Sequence, residues 1–182
     1  MSTDDGTIDP KAAKVRLVVL DADGVLTDGR IIVFADGNEA RAFHARDGLA
    51  VKLGQRGGLA FAIVSGRRSP VVESRARELG FVACEQGVDD KRGRLRTLAD
   101  RLGMTSTEVC YMGDDVVDLP ALRWAGFSVA PADADPAVRA RVDWVTPSGG
   151  GRGAVRETVE MILRSSGAWT RVAAEYHGGD DR

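Results

Sequence analysis

The side chains best suited to chemistry in this 182-residue chain stand at 21 and 23, within VRLVVLDADGVLTDG (residues 15–29). Val15 to Leu20 is apolar but for Arg16 near its start, as a strand buried on both faces requires. It ends in Asp21-Ala22-Asp23-Gly24, two carboxylates at the strand's C-terminal edge, where open α/β sheets bind ligands. Clustered carboxylates repel one another, and a hard divalent cation with oxygen ligands, typically Mg2+, relieves that repulsion. Taken alone, the stretch also reads as a strand running into an Asx-turn.

Other segments end in compatible groups. Leu59 to Val64 runs into Ser65-Gly66-Arg67, Lys91 opens a helix, and Val109 to Met112 runs into Gly113-Asp114-Asp115, with Asp118 close behind. Phosphoryl transfer is mostly positioning and charge neutralisation. One carboxylate can attack phosphorus to form an aspartyl-phosphate. A second can serve as acid toward the leaving alcohol and as base toward the hydrolytic water. A hydroxyl and a lysine would hold the phosphoryl oxygens, and a distant carboxylate would complete the metal site. Each piece alone has an ordinary reading: Ser65 and Gly113-Asp114-Asp115 as turn residues, Lys91 as surface charge. A lysine at a helix start opposes the helix dipole, however, which points to another use. The joint occurrence at successive strand exits carries the argument.

The elements that must position these groups alternate. After the opening strand, residues 30–44 form two strand-like segments around Asp36-Gly37-Asn38, a hairpin beside the site and a surface for self-association. A helix over 48–56 follows, with Asp47 as its cap and Leu49, Ala50 and Leu53 facing inward. Ser69-Pro70 opens a second helix that Gly80 stops. Strand 81–84, helix 90–102, strand 109–112, short helix 118–125, strand 127–130, short helix 136–141, strand 144–146 and helix 154–164 complete the series. Short connections between alternating strands and helices specify a doubly wound, mostly parallel sheet, an α/β fold. Residues 1–14 read as a loose leader, 15–164 as one domain, and 165–182 as a tail whose Trp169, Val172 and Tyr176 pack on the core edge.

Composition narrows the class. Hydrophobic residues make up 43% and charged residues 29%, as in ordinary globular proteins, and the net charge of −2 offers no surface for nucleic acid or anionic membrane. No apolar run is long enough to span a bilayer, and Cys84 and Cys110 read as buried, reduced thiols; together these predict a cytoplasmic protein.

DADGVLTDG, SGR, Lys91 and GDDVVDLP resemble the four ordered motifs of the haloacid dehalogenase superfamily. The resemblance implies Asp21 as nucleophile, Asp23 as acid/base, and Ser65 with Lys91 as phosphate ligands. It implies Mg2+ held by Asp21, the backbone carbonyl of Asp23, and Asp114, with Asp118 behind them. FHARDG, SGRRSPVVESRA, EQGVDDK, VAPADADP and GGGRGAVRE narrow the likeness to the 3-deoxy-D-manno-octulosonate 8-phosphate phosphatases, from Val15 to Leu163. Members of that family lack a cap domain and form homotetramers in which a neighbour covers the site. The spacing agrees: 36 residues separate Asp28 from Ser65 and 17 separate Lys91 from Val109, too few for a cap. The same resemblance implies a sugar-acid loop at His44, Ala45, Arg46, Asp47 and Gly48, and arginines at Arg67 and Arg75 that contact a phosphorylated sugar acid, one from the adjacent subunit. A guanidinium suits a 2-keto acid because it binds carboxylate in a bidentate fork. Gly149 to Gly153 reads as a flexible family loop near the site mouth.

Three positions depart from the family pattern and bear on which sugar acid is bound: Ala45 for Val, Ala50 for Gly, and Lys52 for Arg. Phosphatases of nonulosonate 9-phosphates carry Glu at the position of Arg67, which favours the octulosonate. A phospho-accepting regulatory domain has a similar fold, but its phosphorylated Asp lies on a middle strand and its lysine comes late in the chain.

Overall fold

The computed structural model describes residues 9–176. The opening apolar run forms β1 (Leu17–Leu20), the centre of a six-stranded parallel sheet. Its neighbours are β4 (Ala60–Ser65) on one side and β6 (Val109–Met112) on the other. β5 (Ala83–Gln86) lies outside β4, and β7 (Phe127–Ala130) and β8 (Trp144–Val145) extend the sheet beyond β6. The short strands β2 (Ile32–Val33) and β3 (Glu39–Ala40) pair antiparallel as the hairpin expected between β1 and the first helix. The doubly wound fold is therefore as the sequence predicts.

Side chains alternate along β1 into two cores. Val18 and Leu20 join Phe61, Ile63, Met112 and Phe127 beneath α1 (Ala45–Arg56) and α6 (Ala154–Ser165). Leu17 and Val19 join Val64, Tyr111, Leu95, Leu98 and Leu122 beneath α3 (Lys91–Arg101) and α4 (Leu119–Trp124). With both faces covered, a strand must be apolar throughout, and burying each Leu or Val contributes roughly 1.5–3 kcal/mol. Helix α2 (Pro70–Leu79) ends as expected on Gly80, whose φ of 75° is the left-handed conformation, and the short α5 (Pro136–Arg139) links β7 to β8.

Several local expectations are corrected. Residues 9–14 are not a loose leader: Ala12–Lys14 form a 3-10 turn and Ala12 is wholly buried against α6. The part of the leader at 1–8 lies outside the described residues, as does 177–182 of the tail. The rest of the tail carries α7 (Trp169–Ala174), with Val172 buried and Trp169 stacked by the guanidiniums of Arg156 and Arg164. Of the three residues expected to face inward from α1, Ala50 and Leu53 are buried, but Leu49 is 44% exposed: it lies beside the buried stripe of Asp47, Ala50, Val51, Leu53 and Gly54. Cys84 is half-buried; Cys110 is fully buried, and both are free thiols.

The glycine run is packed rather than flexible. A Cβ on Gly150 would lie 1.8 Å from the Gly24 carbonyl oxygen, and Gly151 N–H donates to Val25 O at 2.9 Å. Gly150 N–H donates to Asp133 Oδ1 at 2.9 Å, and the Asp135 N–H donates to Asp114 O at 2.8 Å. The loops after β1, β6, β7 and β8 are thus knitted together at one edge of the sheet.

Candidate active site

The sheet order makes β1 the switch point: the chain lays β4 and β5 on one side of it, then crosses back to lay β6, β7 and β8 on the other, opening a crevice at the C-terminal edge. A cavity of about 460 Å3 occupies that crevice. Asp21, Asp23, Ser65, Arg67, Lys91 and Asp114 all line it. Six sequence-predicted residues from four separate segments thus meet in one place.

Lys91 is the hub. Its side chain is 5% exposed, with Nζ 3.0 Å from Asp21 Oδ2 and 2.6 Å from Asp118 Oδ1. Asp90 caps α3 by accepting from Gly93 N–H at 2.9 Å, so Lys91 is free to turn its charge into the sheet edge. Burial works against its charge, but Asp21 and Asp118 outweigh that and hold its pKa above the ordinary lysine value. The unfavourable position at a helix start is offset by these two carboxylates.

Asp118 is fully buried and fully engaged. Oδ1 accepts from Lys91 and from Tyr111 OH at 2.6 Å, and Oδ2 accepts from the backbone N–H groups of Asp114 (3.1 Å) and Asp115 (3.2 Å). Asp21, Asp114 and Asp118 each bring a carboxylate oxygen within 4.8 Å of the others. With its oxygens committed to four donors, Asp118 serves as a brace, while Asp21 and Asp114 have capacity for a cation. Asp21 Oδ1 is buried without a hydrogen-bond partner, and a buried anionic oxygen is costly unless something positive meets it. Burial and the neighbouring Asp118 push Asp21 up to about 6, against the pull of Lys91. Burial, then Asp21, Asp118 and Asp115, push Asp114 up to about 7. Residue 24 must lack a side chain: its φ is 85°, and a Cβ would lie 2.0 Å from Asp114 Oδ2. Orphaned oxygen, clustered carboxylates and close backbone fit a hard dication.

Ser65 ends β4 and is 3% exposed. Its carbonyl accepts from Val88 N–H at 3.1 Å and that of Arg67 from Gly87 N–H at 3.3 Å, folding the 87–89 segment over the serine and bringing Asp89 to the cavity wall. The Asp23 carboxylate is gripped by Arg41, Nε to Oδ1 at 2.7 Å and Nη2 to Oδ2 at 3.4 Å, with Arg67 Nε 3.6 Å from Oδ2.

The residues assigned to the sugar-acid loop are not all drawn to this cavity. Asp47 is buried and accepts from the backbone N–H groups of Gly153 (3.2 Å) and Arg156 (2.8 Å); it caps α6, not its own helix. Burial raises its pKa and those two donors oppose the rise. His44 stands at the N-terminus of α1 with Nδ1 buried, 3.8 Å from Asp47 Oδ2, while Arg46 is exposed. Lys52 Nζ donates to the carbonyls of Leu79 (2.8 Å) and Glu78 (3.3 Å), closing the end of α2 rather than facing substrate. Ala45 and Arg75 line a separate depression of about 690 Å3 with Phe43, Pro70, Val71 and Ser74. There Arg75 lies over Gly48 and across the Phe43 ring, pairing with Glu78 at 2.7 Å. Ser69, expected to cap α2, instead accepts from Arg41 at 2.8 Å through Oγ.

The sequence reading missed Arg41, Glu39, Tyr111 and Asp89. The available signal for Arg41 was a charge set between two alanines next to the hairpin; Tyr111 reads as plain core.

Residues 85–156 match a family model described as haloacid dehalogenase-like hydrolase. The 3-deoxy-D-manno-octulosonate 8-phosphate phosphatase KdsC of Salmonella typhi is 41% identical over 157 residues, 86% of this chain and 84% of that protein. The crystal structure of the Moraxella catarrhalis 3-deoxy-D-manno-octulosonate 8-phosphate phosphatase with magnesium, phosphate and KDO superimposes with a TM-score of 0.89 at 39% identity, covering 91% of this chain and 95% of that one. The cobalt-bound Haemophilus influenzae phosphatase YrbI gives a TM-score of 0.84 at 39% identity, covering 86% and 92%.

Proposed function

This chain belongs to the 3-deoxy-D-manno-octulosonate 8-phosphate phosphatase family of haloacid dehalogenase-like hydrolases, and we propose that it releases phosphate from that sugar acid in the cytoplasm, using Mg2+. The observation that carries the reaction is the buried Asp21, one oxygen paired with Lys91 and the other without a partner, at the floor of a cavity walled by Asp23, Ser65 and Asp114.

In this reading Asp21, the backbone of Asp23, and Asp114 hold the cation, which supplies charge neutralisation to the phosphoryl group when bound. Ser65 and Lys91 hold the phosphoryl oxygens that the cation does not. An Asp21 oxygen attacks phosphorus as the bond from phosphorus to the sugar oxygen breaks. Asp23 gives the departing alkoxide its proton, leaving an aspartyl-phosphate on Asp21 and a sugar acid. Asp23, now a carboxylate, takes a proton from a water whose oxygen attacks the phosphorus. The bond between phosphorus and Asp21 breaks, and both carboxyl groups return to their starting forms.

In this reading Arg67, 59% exposed at the cavity rim, binds the substrate carboxylate. Arg75 faces the separate depression, so we assign its contact to a neighbouring copy's site within a homotetramer. The hairpin supports such an assembly, since Ile32, Val33 and Phe34 are 59%, 68% and 52% exposed. A phosphatase for a nonulosonate 9-phosphate is the second reading. It rests on Lys52, which is drawn onto α2 and leaves any guanidinium contact at that position unmade. Acid quenching during turnover tests the chemistry: phosphate should be recovered covalently on the chain, and none on Asp21→Asn.

A further inference from the structure

The hairpin contributes a buried cation to the site. The Arg41 side chain is 0% exposed and spends all three nitrogens on named partners. Nε and Nη2 take the two oxygens of Asp23 at 2.7 and 3.4 Å, and Nη1 donates to Ser69 Oγ at 2.8 Å and to Glu39 Oε1. Ser69 is itself fixed, its N–H donating to Gln86 Oε1 at 2.7 Å. The Asp23 carboxylate is therefore held by a planar two-nitrogen fork whose far side is anchored on β3 and on the start of α2. A carboxylate on a turn otherwise has free choice of rotamer, and proton transfer depends steeply on geometry.

We propose that Arg41 is the positioning residue for Asp23, setting the rotamer from which that carboxyl serves the leaving group and the water. It hydrogen-bonds to none of Ser65, Lys91 and Asp114, and Glu39 and Ser69 anchor its far side, so its effect on the proton transfers runs through Asp23. The inference rests on the acid/base reading of Asp23 above. Arg41→Met should lower kcat on 3-deoxy-D-manno-octulosonate 8-phosphate about 100-fold while KM and the Mg2+ concentration for half-activation stay within about threefold. Arg41→Lys, which keeps the charge and loses the fork, should recover about a tenth of the wild-type rate.

Two comparisons separate positioning from general damage. p-Nitrophenyl phosphate has a leaving group that needs no proton, so Arg41→Met should still give a stoichiometric burst of p-nitrophenolate, followed by a slow steady state. Adding Arg41→Met to Asp23→Asn should cost no further activity. If the Met variant fails to fold, Arg41→Lys and Ser69→Ala carry the same two comparisons. A lost burst, a shifted Mg2+ requirement, or a double variant well below Asp23→Asn would overturn the positioning role. Near-normal turnover by Asp23→Asn would instead remove the acid/base reading, and this inference with it.

Discussion

Burial and Asp118 raise Asp21 to about 6, and burial with Asp21 and Asp118 raises Asp114 to about 7, so protons and cations compete for both carboxyls. Both values lie above the ordinary 3.8. The folded, metal-free protein therefore binds more protons than the unfolded chain at intermediate pH. Their contribution to stability is complete below about pH 4 and is lost as pH rises through 6 to 7. In EDTA these two groups make the protein melt lower at about pH 8 than at about pH 5, and Mg2+ should restore the difference with release of protons. Asp114→Asn should flatten that pH dependence, raise the metal-free Tm at pH 8 by roughly 2–4 °C, and abolish the Mg2+-induced shift. Thermal melts with and without Mg2+ check all three. Asp21→Asn should keep the fold and lose turnover by about four orders of magnitude or more. At this scale Asp21 and Asp114 were legible, because polar groups at the ends of apolar strands can be recognised one strand at a time, and Lys91 was legible as a cation set against a helix dipole. Arg41 was not, since its partners Asp23 and Ser69 come from different elements and no local pattern announces them.

Among the elements, β6 and β7 run over the residues their apolar runs predict, 109–112 and 127–130, because a strand covered on both faces has few ways to end. Capping was less legible. Asp47 looks like the cap of the helix that follows it, yet its acceptors serve N–H groups 106 and 109 residues away. Asp47→Ala should cost about 1–3 kcal/mol by leaving the first turn of α6 without its acceptor, seen as a lower denaturation midpoint at unchanged slope. Likewise the glycine run reads as a mobile loop, whereas Gly150 is pressed against the carbonyl of Gly24. Gly150→Ala should push the turn carrying Asp23 and Gly24 out of place, costing about 1–3 kcal/mol and weakening Mg2+ activation while the sheet survives. Calorimetry and a Mg2+ titration of activity would register the two effects.

For the whole molecule, the all-parallel sheet, the hairpin after β1 and the crevice at the switch point followed from the alternation of elements. How copies meet did not, because exposed apolar residues name a face and not its partner. If Ile32, Val33 and Phe34 form the tetramer contact, replacing all three by Ser should give monomers by light scattering, with the melting of the α/β domain little changed. The most direct test of the account remains Mg2+-dependent phosphate release from 3-deoxy-D-manno-octulosonate 8-phosphate, a nonulosonate 9-phosphate and a panel of simple sugar phosphates. A kcat/KM for the octulosonate at least about 100-fold above the simple sugar phosphates, which offer Arg67 no carboxylate, is predicted, with a smaller preference over the nonulosonate. Equal rates across the panel, or preference for the nonulosonate, would contradict the assigned substrate; no Mg2+-dependent phosphate release from any member of the panel would contradict the chemistry.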